Sequence, residues 1–276
     1  MSLNRETNSL ARQLRSGLTR YGSELQRRSS GIPAALENRM PAIAGAWLLV
    51  FLMLSAPKII FSPTPVYGID DFLQLVLPYL LIALAPIAGY RLAAGSFPAG
   101  VMLAQPDFRL AIYGRWRRLN ILDARASPAY GPAGFMASLL LGLLLNVVMR
   151  SFEFLLALPA LNGHAPDWGT ALFLVMTADV VVMSFFYMVC FVMALRNIPY
   201  FPRMLLFAWG LDIVAQLIIA HRIGTMADLP MTVAAPRHDL LRGNIAKVLI
   251  SAAVWLPYLI LSDRVNLTYR QRVRIC

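Results

Sequence analysis

Charge is scarce in this sequence. Only 14% of its 276 residues are Asp, Glu, Lys or Arg, against about a quarter in a soluble domain, which argues against a conventional water-facing surface. Cysteine is nearly absent. Cys190 falls in an apolar run and Cys276 is the last residue, so no disulfide between them is expected. His164, His221 and His238 are scattered without metal-ligand spacing, and no metal or cofactor is expected. HExxH, GxSxG, a P-loop and a cysteine pair are all missing, and no serine inside an apolar run stands beside a histidine. The expectation is a protein that is not an enzyme. Acidic residues are scarcer than basic ones, giving a net charge of +11. In a membrane chain the placement of Lys and Arg accounts for that excess, so no nucleic-acid partner is expected.

What the sequence has is apolar length. Apolar residues make up 58% of the chain and mean hydropathy is +0.62. A helix needs roughly 20 such residues to cross a bilayer. Six runs qualify, at about 41–61, 72–90, 134–161, 171–195, 204–220 and 243–261. The predicted fold class is all-α, a polytopic membrane protein. Its expected parts are a basic segment 1–40, two spans within 41–90, a basic segment 91–132, and a four-helix membrane domain with a basic tail over 133–276.

Lys and Arg set the orientation. The N-terminus, the 91–132 segment, the 196–203 turn and the tail hold seven, six, two and four, nineteen together, against three on the opposite connections. The asymmetry predicts both termini in the cytoplasm of a bacterial-type inner membrane. The sequon at Asn266 then lies on the wrong side for glycosylation. A removable signal peptide is not expected, because forty mostly polar residues precede the first apolar run. Leu10, Leu14, Leu18, Tyr21 and Leu25 recur at helical spacing among arginines, and Ser29, Ser30, Gly31 and Pro33 then break the pattern. Residues 9–28 read as an amphipathic helix on an anionic lipid surface, or as a solvated tail. Residues 106–119 read as a second interfacial helix, with Trp116 at headgroup level and Arg109, Arg115, Arg117 and Arg118 as candidate lipid-binding residues. A basic loop is the alternative.

The last span and tail carry a motif. Trp255, Pro257-Tyr258, Ser262, Arg264-Val265 and Thr268-Tyr269 resemble the closing motif of domain-of-unknown-function family 2569. The turn from Arg196 to Arg203 and the pair Arg242-Gly243 are also similar to that family. The likeness covers about 130–272. It implies small bacterial inner-membrane proteins, usually of four spans, with no established activity, cofactor or catalytic residue. The residues also have a physical reading. Pro257 removes a backbone donor and is expected to kink the span. Trp255 and Tyr258 suit the interface. Ser262 and Asp263 can cap a following helix whose arginines meet lipid phosphates.

Charge inside the spans is the other candidate site. Gly142, Asn146, Arg150 and Glu153 share one sector of the third span. Polar residues there avoid lipid by facing other helices. Arg150 stands about 24 Å above the cytoplasmic edge, at about 1.5 Å per residue. Asp179 sits about 14 Å below the outer edge by the same rise. Side chains lean toward the helix N-terminus, which brings these two together. Asn146 and Glu153 are further candidate partners. Asp212, about 12 Å above the inner edge, is expected to lack a basic partner. Lys58 and Lys247 are expected to snorkel to the outer edge. Two functions fit. One is a structural or accessory component with a basic face for lipids, a membrane-protein partner or a second copy. The other is a small transporter or proton-coupled carrier using the buried charges. A water-filled cavity reaching Asp179 and Asp212 favours the carrier; a dry, closed bundle favours the structural role.

Overall fold

Each apolar run is a helix in the computed structural model, which describes residues 24, 26–101, 103–106, 114–225 and 231–275, with the backbone alone at 223 and 231–241. The elements are α1 (Ile32–Ile60), α2 (Ile69–Ser96), β1 (Trp116–Arg118), α3 (Ile121–Ala126), α4 (Phe135–Ala157), α5 (Asp167–Leu195), α6 (Phe201–Gly224), α7 (Met231–Leu261), α8 (Asp263–Arg270) and β2 (Arg272–Arg274). Six helices, α1, α2 and α4 to α7, are long and apolar enough to cross a membrane. A helix satisfies its backbone polar groups internally, as lipid requires. The chain is an integral, multi-pass, all-α membrane protein.

Two boundaries differ most from expectation. The helix of the first span begins nine residues early, with Pro33 in its first turn, where a missing N–H costs nothing. The last begins at Met231, so the supposed polar connection through His238 and Arg242 has a helical backbone. Its Ala, Leu and Arg residues are good helix formers.

Packing follows apolarity. The most apolar helix, α5, has two thirds of its most apolar window buried, against about a tenth in α1 and α7. It packs chiefly on α2, then on α4 and α6. Gly89 permits the α2–α5 approach, because a Cβ there would lie 2.5 Å from the Phe185 carbonyl oxygen. The two leading helices thus share a core with the other four.

That core has two apolar parts. Val147, Met183, Tyr187, Phe201, Trp209 and Tyr269 belong to the one nearer α8. Phe51, Tyr79, Phe154, Phe173 and Val180 belong to the other. Each end is latched. Arg196 donates to the carbonyls of Ala94 and Phe97 and pairs with Glu37. At the opposite end Ser62 donates to the Ala160 carbonyl, and Asn162 to that of Pro65.

The interfacial helix expected over 106–119 is not what forms at its end. Residues 116–118 make strand β1, antiparallel to β2 from the tail, with Trp116 opposite Arg274 and Arg118 opposite Arg272. Gly114 at φ 101° turns the chain just before it, and the Arg272 guanidinium lies 4.8 Å from the Trp116 ring centroid. Arg115, Arg117 and Arg118 are exposed on this ribbon; Arg109 lies outside the described residues. So does most of the 9–28 segment; residues 26–29 at its end are helical before a turn at 30–31.

Candidate binding cleft and its charged centre

The two apolar parts of the core meet at a polar layer. On α4, Arg150 lies between Val147 and Phe154; on α5, Asp179 lies beside Val180 and one turn from Met183. Arg150 Nη1 donates to Asp179 Oδ2 at 2.7 Å, the pairing that the depth arithmetic predicts. Its Nη2 donates to Asp212 Oδ2 at 2.5 Å. Asp212 therefore does have a basic partner, contrary to expectation. The reason lies in helix length. Because α6 starts at Phe201, three residues before the expected 204, Asp212 stands about 16 Å along it rather than about 12 Å. The guanidinium fork then reaches both acids from one position.

Three neighbours escaped the sequence reading. Tyr187 Oη donates to Asp212 Oδ2 at 2.8 Å. Gln216 Nε2 donates to Asp179 Oδ1 at 3.2 Å, and Asn244 Nδ2 to Gln216 Oε1 at 3.3 Å. Spacing held part of the signal: Gln216 follows Asp212 by four residues, and Tyr187 follows Asp179 by eight, so each shares a face with the acid of its own helix and bonds the acid of the other. Asp212 is fully buried, and its Oδ1 has no hydrogen-bond partner among the described residues.

Beside this layer lies a cleft of about 730 Å³. Its walls are α4 and α7, and its floor is α5 and α6. Arg150, Asp179 and Tyr187 reach it together with Asn146, Asn244 and Ser251, while Leu139, Leu143, Trp209, Val248 and Trp255 form its apolar surface. The walls touch near both ends. Phe135 meets Tyr258 with ring centroids 5.8 Å apart, and Lys247 Nζ pairs with Glu153 Oε1. Glu153 thus serves Lys247 rather than Arg150, and Lys247 is not simply extended into solvent. Between those bridges the cleft opens sideways, past the exposed Leu145 and Met149.

The motif at the end of α7 is divided in role. Trp255 faces the cleft. The helix continues without a break through Pro257 to Leu261. Ser262 caps α8, its side chain accepting from the Val265 N–H. Thr268 Oγ1 accepts from the Gly131 N–H, and Arg264 donates to the Gly131 carbonyl, clamping the turn ahead of α4. Arginines of α8 and the tail do not all face lipid. Arg270 and Arg272 are buried and donate to Asn266 Oδ1. Burial, with Arg272 and Arg203 beside it, pushes Arg270 down to about 10, still charged at neutral pH.

Fold and site together define a polytopic membrane bundle with a charged centre beside a laterally open cleft. No family model matches the chain, and neither a curated protein nor a solved structure does. The closing motif's similarity to family 2569 is therefore a likeness of residues and spacing alone. Among the described residues no group of His, Cys, Asp and Glu is arranged to hold a metal.

Proposed function

We propose that this chain is a non-enzymatic carrier or binding protein of a bacterial-type inner membrane, with both termini cytoplasmic, and that it takes a small amphipathic ligand into the cleft between α4 and α7. The observation that carries this is the cavity itself. It reaches Asp179 and Arg150, and Asp212 lies directly behind them, which supports the carrier over a purely structural role. A bundle serving only as scaffold gains nothing from holding two apolar walls apart. The exposed residues beside its opening, Leu145 and Met149, are apolar, as a surface that admits a ligand from the bilayer would be.

Gly142 gives the test. It lines the cleft, and a Cβ there meets nothing within 4 Å. Gly142→Trp is expected to fold as wild type while filling the cavity. In detergent, a panel of amphipathic compounds is expected to raise the wild-type Tm for at least one chemical class and to leave Gly142→Trp unmoved. No shift with any class, or equal shifts in both proteins, would sink the reading.

A second reading rests on the β1–β2 ribbon. Arg115, Arg117, Arg118 and Arg274 are all exposed on it, a basic surface suited to anionic headgroups.

A further inference from the structure

The cleft's charges do not balance. The rim pair Lys247–Glu153 is neutral by itself. At the centre one guanidinium, Arg150, serves two carboxylates, Asp179 and Asp212. With all three ionised the centre carries one surplus negative charge, in a layer where Asp212 is fully buried and the Arg150 side chain only 13% exposed. An uncompensated charge is costly in such a place. Something positive completes it.

The groups facing the two acids narrow the choice. From α4 comes Arg150; from α5, Tyr187 beside Asp212, with the buried Cys190 thiol next to that tyrosine; at the cleft's rim Glu153 and Lys247 engage each other. Among the described residues, then, no further cation is placed to serve as the missing partner. Within that set the charge is left to be supplied from outside. Arg150 is also an unpromising anion site, because both of its terminal nitrogens are already committed to carboxylates. The cleft's remaining surface is apolar and aromatic, with Trp209 and Trp255 on it. Aromatic faces attract cations, and apolar walls bury a hydrophobic body.

Resting on the carrier reading, we propose that the cleft takes a lipophilic monocation, which binds beside Asp179 in exchange for one proton held by the Asp179–Asp212 pair. Without ligand, the two carboxylates and Arg150 are neutral together because the pair holds one proton between them, beside an Asp212 Oδ1 that has no hydrogen-bond partner among the described residues. When the cation arrives, the O–H bond breaks and the proton leaves to water. Asp212 then serves Arg150 as a full counter-ion, and Asp179 serves the ligand. The charge of the centre plus its bound cation is the same before and after.

The experiment uses the full chain in nanodiscs with three probes of similar bulk: tetraphenylphosphonium, neutral triphenylphosphine oxide and anionic tetraphenylborate. Binding is measured across pH, and proton release is read with an indicator dye in weak buffer. Tetraphenylphosphonium is expected to bind with release of one proton, its affinity rising about tenfold per pH unit while the exchange is one for one. Asp179→Asn is expected to weaken binding by at least about tenfold and to abolish proton release. Asp212→Asn, shape-preserving at the second acid, is expected to abolish release as well, and Gly142→Trp to lose binding. Equal, pH-independent binding of the neutral probe would overturn the exchange while leaving the carrier reading standing. Preference for tetraphenylborate would overturn the choice of a cation. Binding that persists in Gly142→Trp would place the probe outside the cleft, and no binding of any probe would remove both proposals.

Discussion

Arg150 holds two acids with one guanidinium, and the energetics of that arrangement differ from those of two separate ion pairs. Removing either carboxylate leaves the arginine a full partner, and the centre is then neutral without a shared proton. Asp179→Asn and Asp212→Asn are each expected to cost about 1 kcal/mol or less, the scale of an ordinary hydrogen bond. The double variant leaves a buried guanidinium without a counter-charge, expected to cost about 3–5 kcal/mol. Thermal unfolding of the four proteins in detergent closes the cycle. A double variant that equals the sum of the singles would show that the acids do not share Arg150. At this scale the sequence was partly legible. Depth and side-chain lean find Arg150 with Asp179, because both are fixed by helix rise. Asp212 is missed because its depth depends on where α6 begins, and Phe201-Pro202 start the helix three residues before the apolar run suggests.

At the scale of elements, apolar length gives the six spanning helices because lipid leaves a spanning chain few alternatives. The β1–β2 ribbon leaves no such trace. Three residues at 116–118 find three at 272–274, and pairing that is short and remote in sequence has no local periodicity to announce it. The cleft is similarly hidden, since it exists because α4 and α7 touch mainly near their ends. The ribbon nevertheless keeps the arginines that an interfacial helix would have presented. Each exposed arginine near an anionic surface contributes about 1 kcal/mol at low salt. Adding phosphatidylglycerol to micelles of the purified protein is therefore expected to raise its Tm more than phosphatidylcholine does. The difference should shrink with salt and in Arg115→Gln/Arg117→Gln/Arg118→Gln. An unchanged difference in that triple variant would remove the ribbon as a lipid-binding surface.

At the scale of the molecule, the basic segments converge. Gly134 donates to Ser29 Oγ, joining the segment before α1 to the start of α4. Arg196 ties the end of α5 to the end of α2, and Tyr269 Oη donates to the Ala194 carbonyl, bringing the tail to the same place. The described parts of the four basic segments therefore meet at one end of the bundle. The other end is closed by the Ser62–Ala160 and Asn162–Pro65 bonds between two connections that carry neither Lys nor Arg. Translocating the basic end across an energised membrane opposes the potential at about 2.3 kcal/mol per charge per 100 mV. That difference is the physical content of the positive-inside rule. Reporter fusions after Arg118, Gly163 and Arg196 are expected to read inside, outside and inside in a bacterial host. Neutralising one segment should not invert the protein, because three others still hold the same end. An inside signal at Gly163 in the unaltered chain would mean that the basic end is the translocated one, and the cleft's rim pair Lys247–Glu153 would then face the cytoplasm.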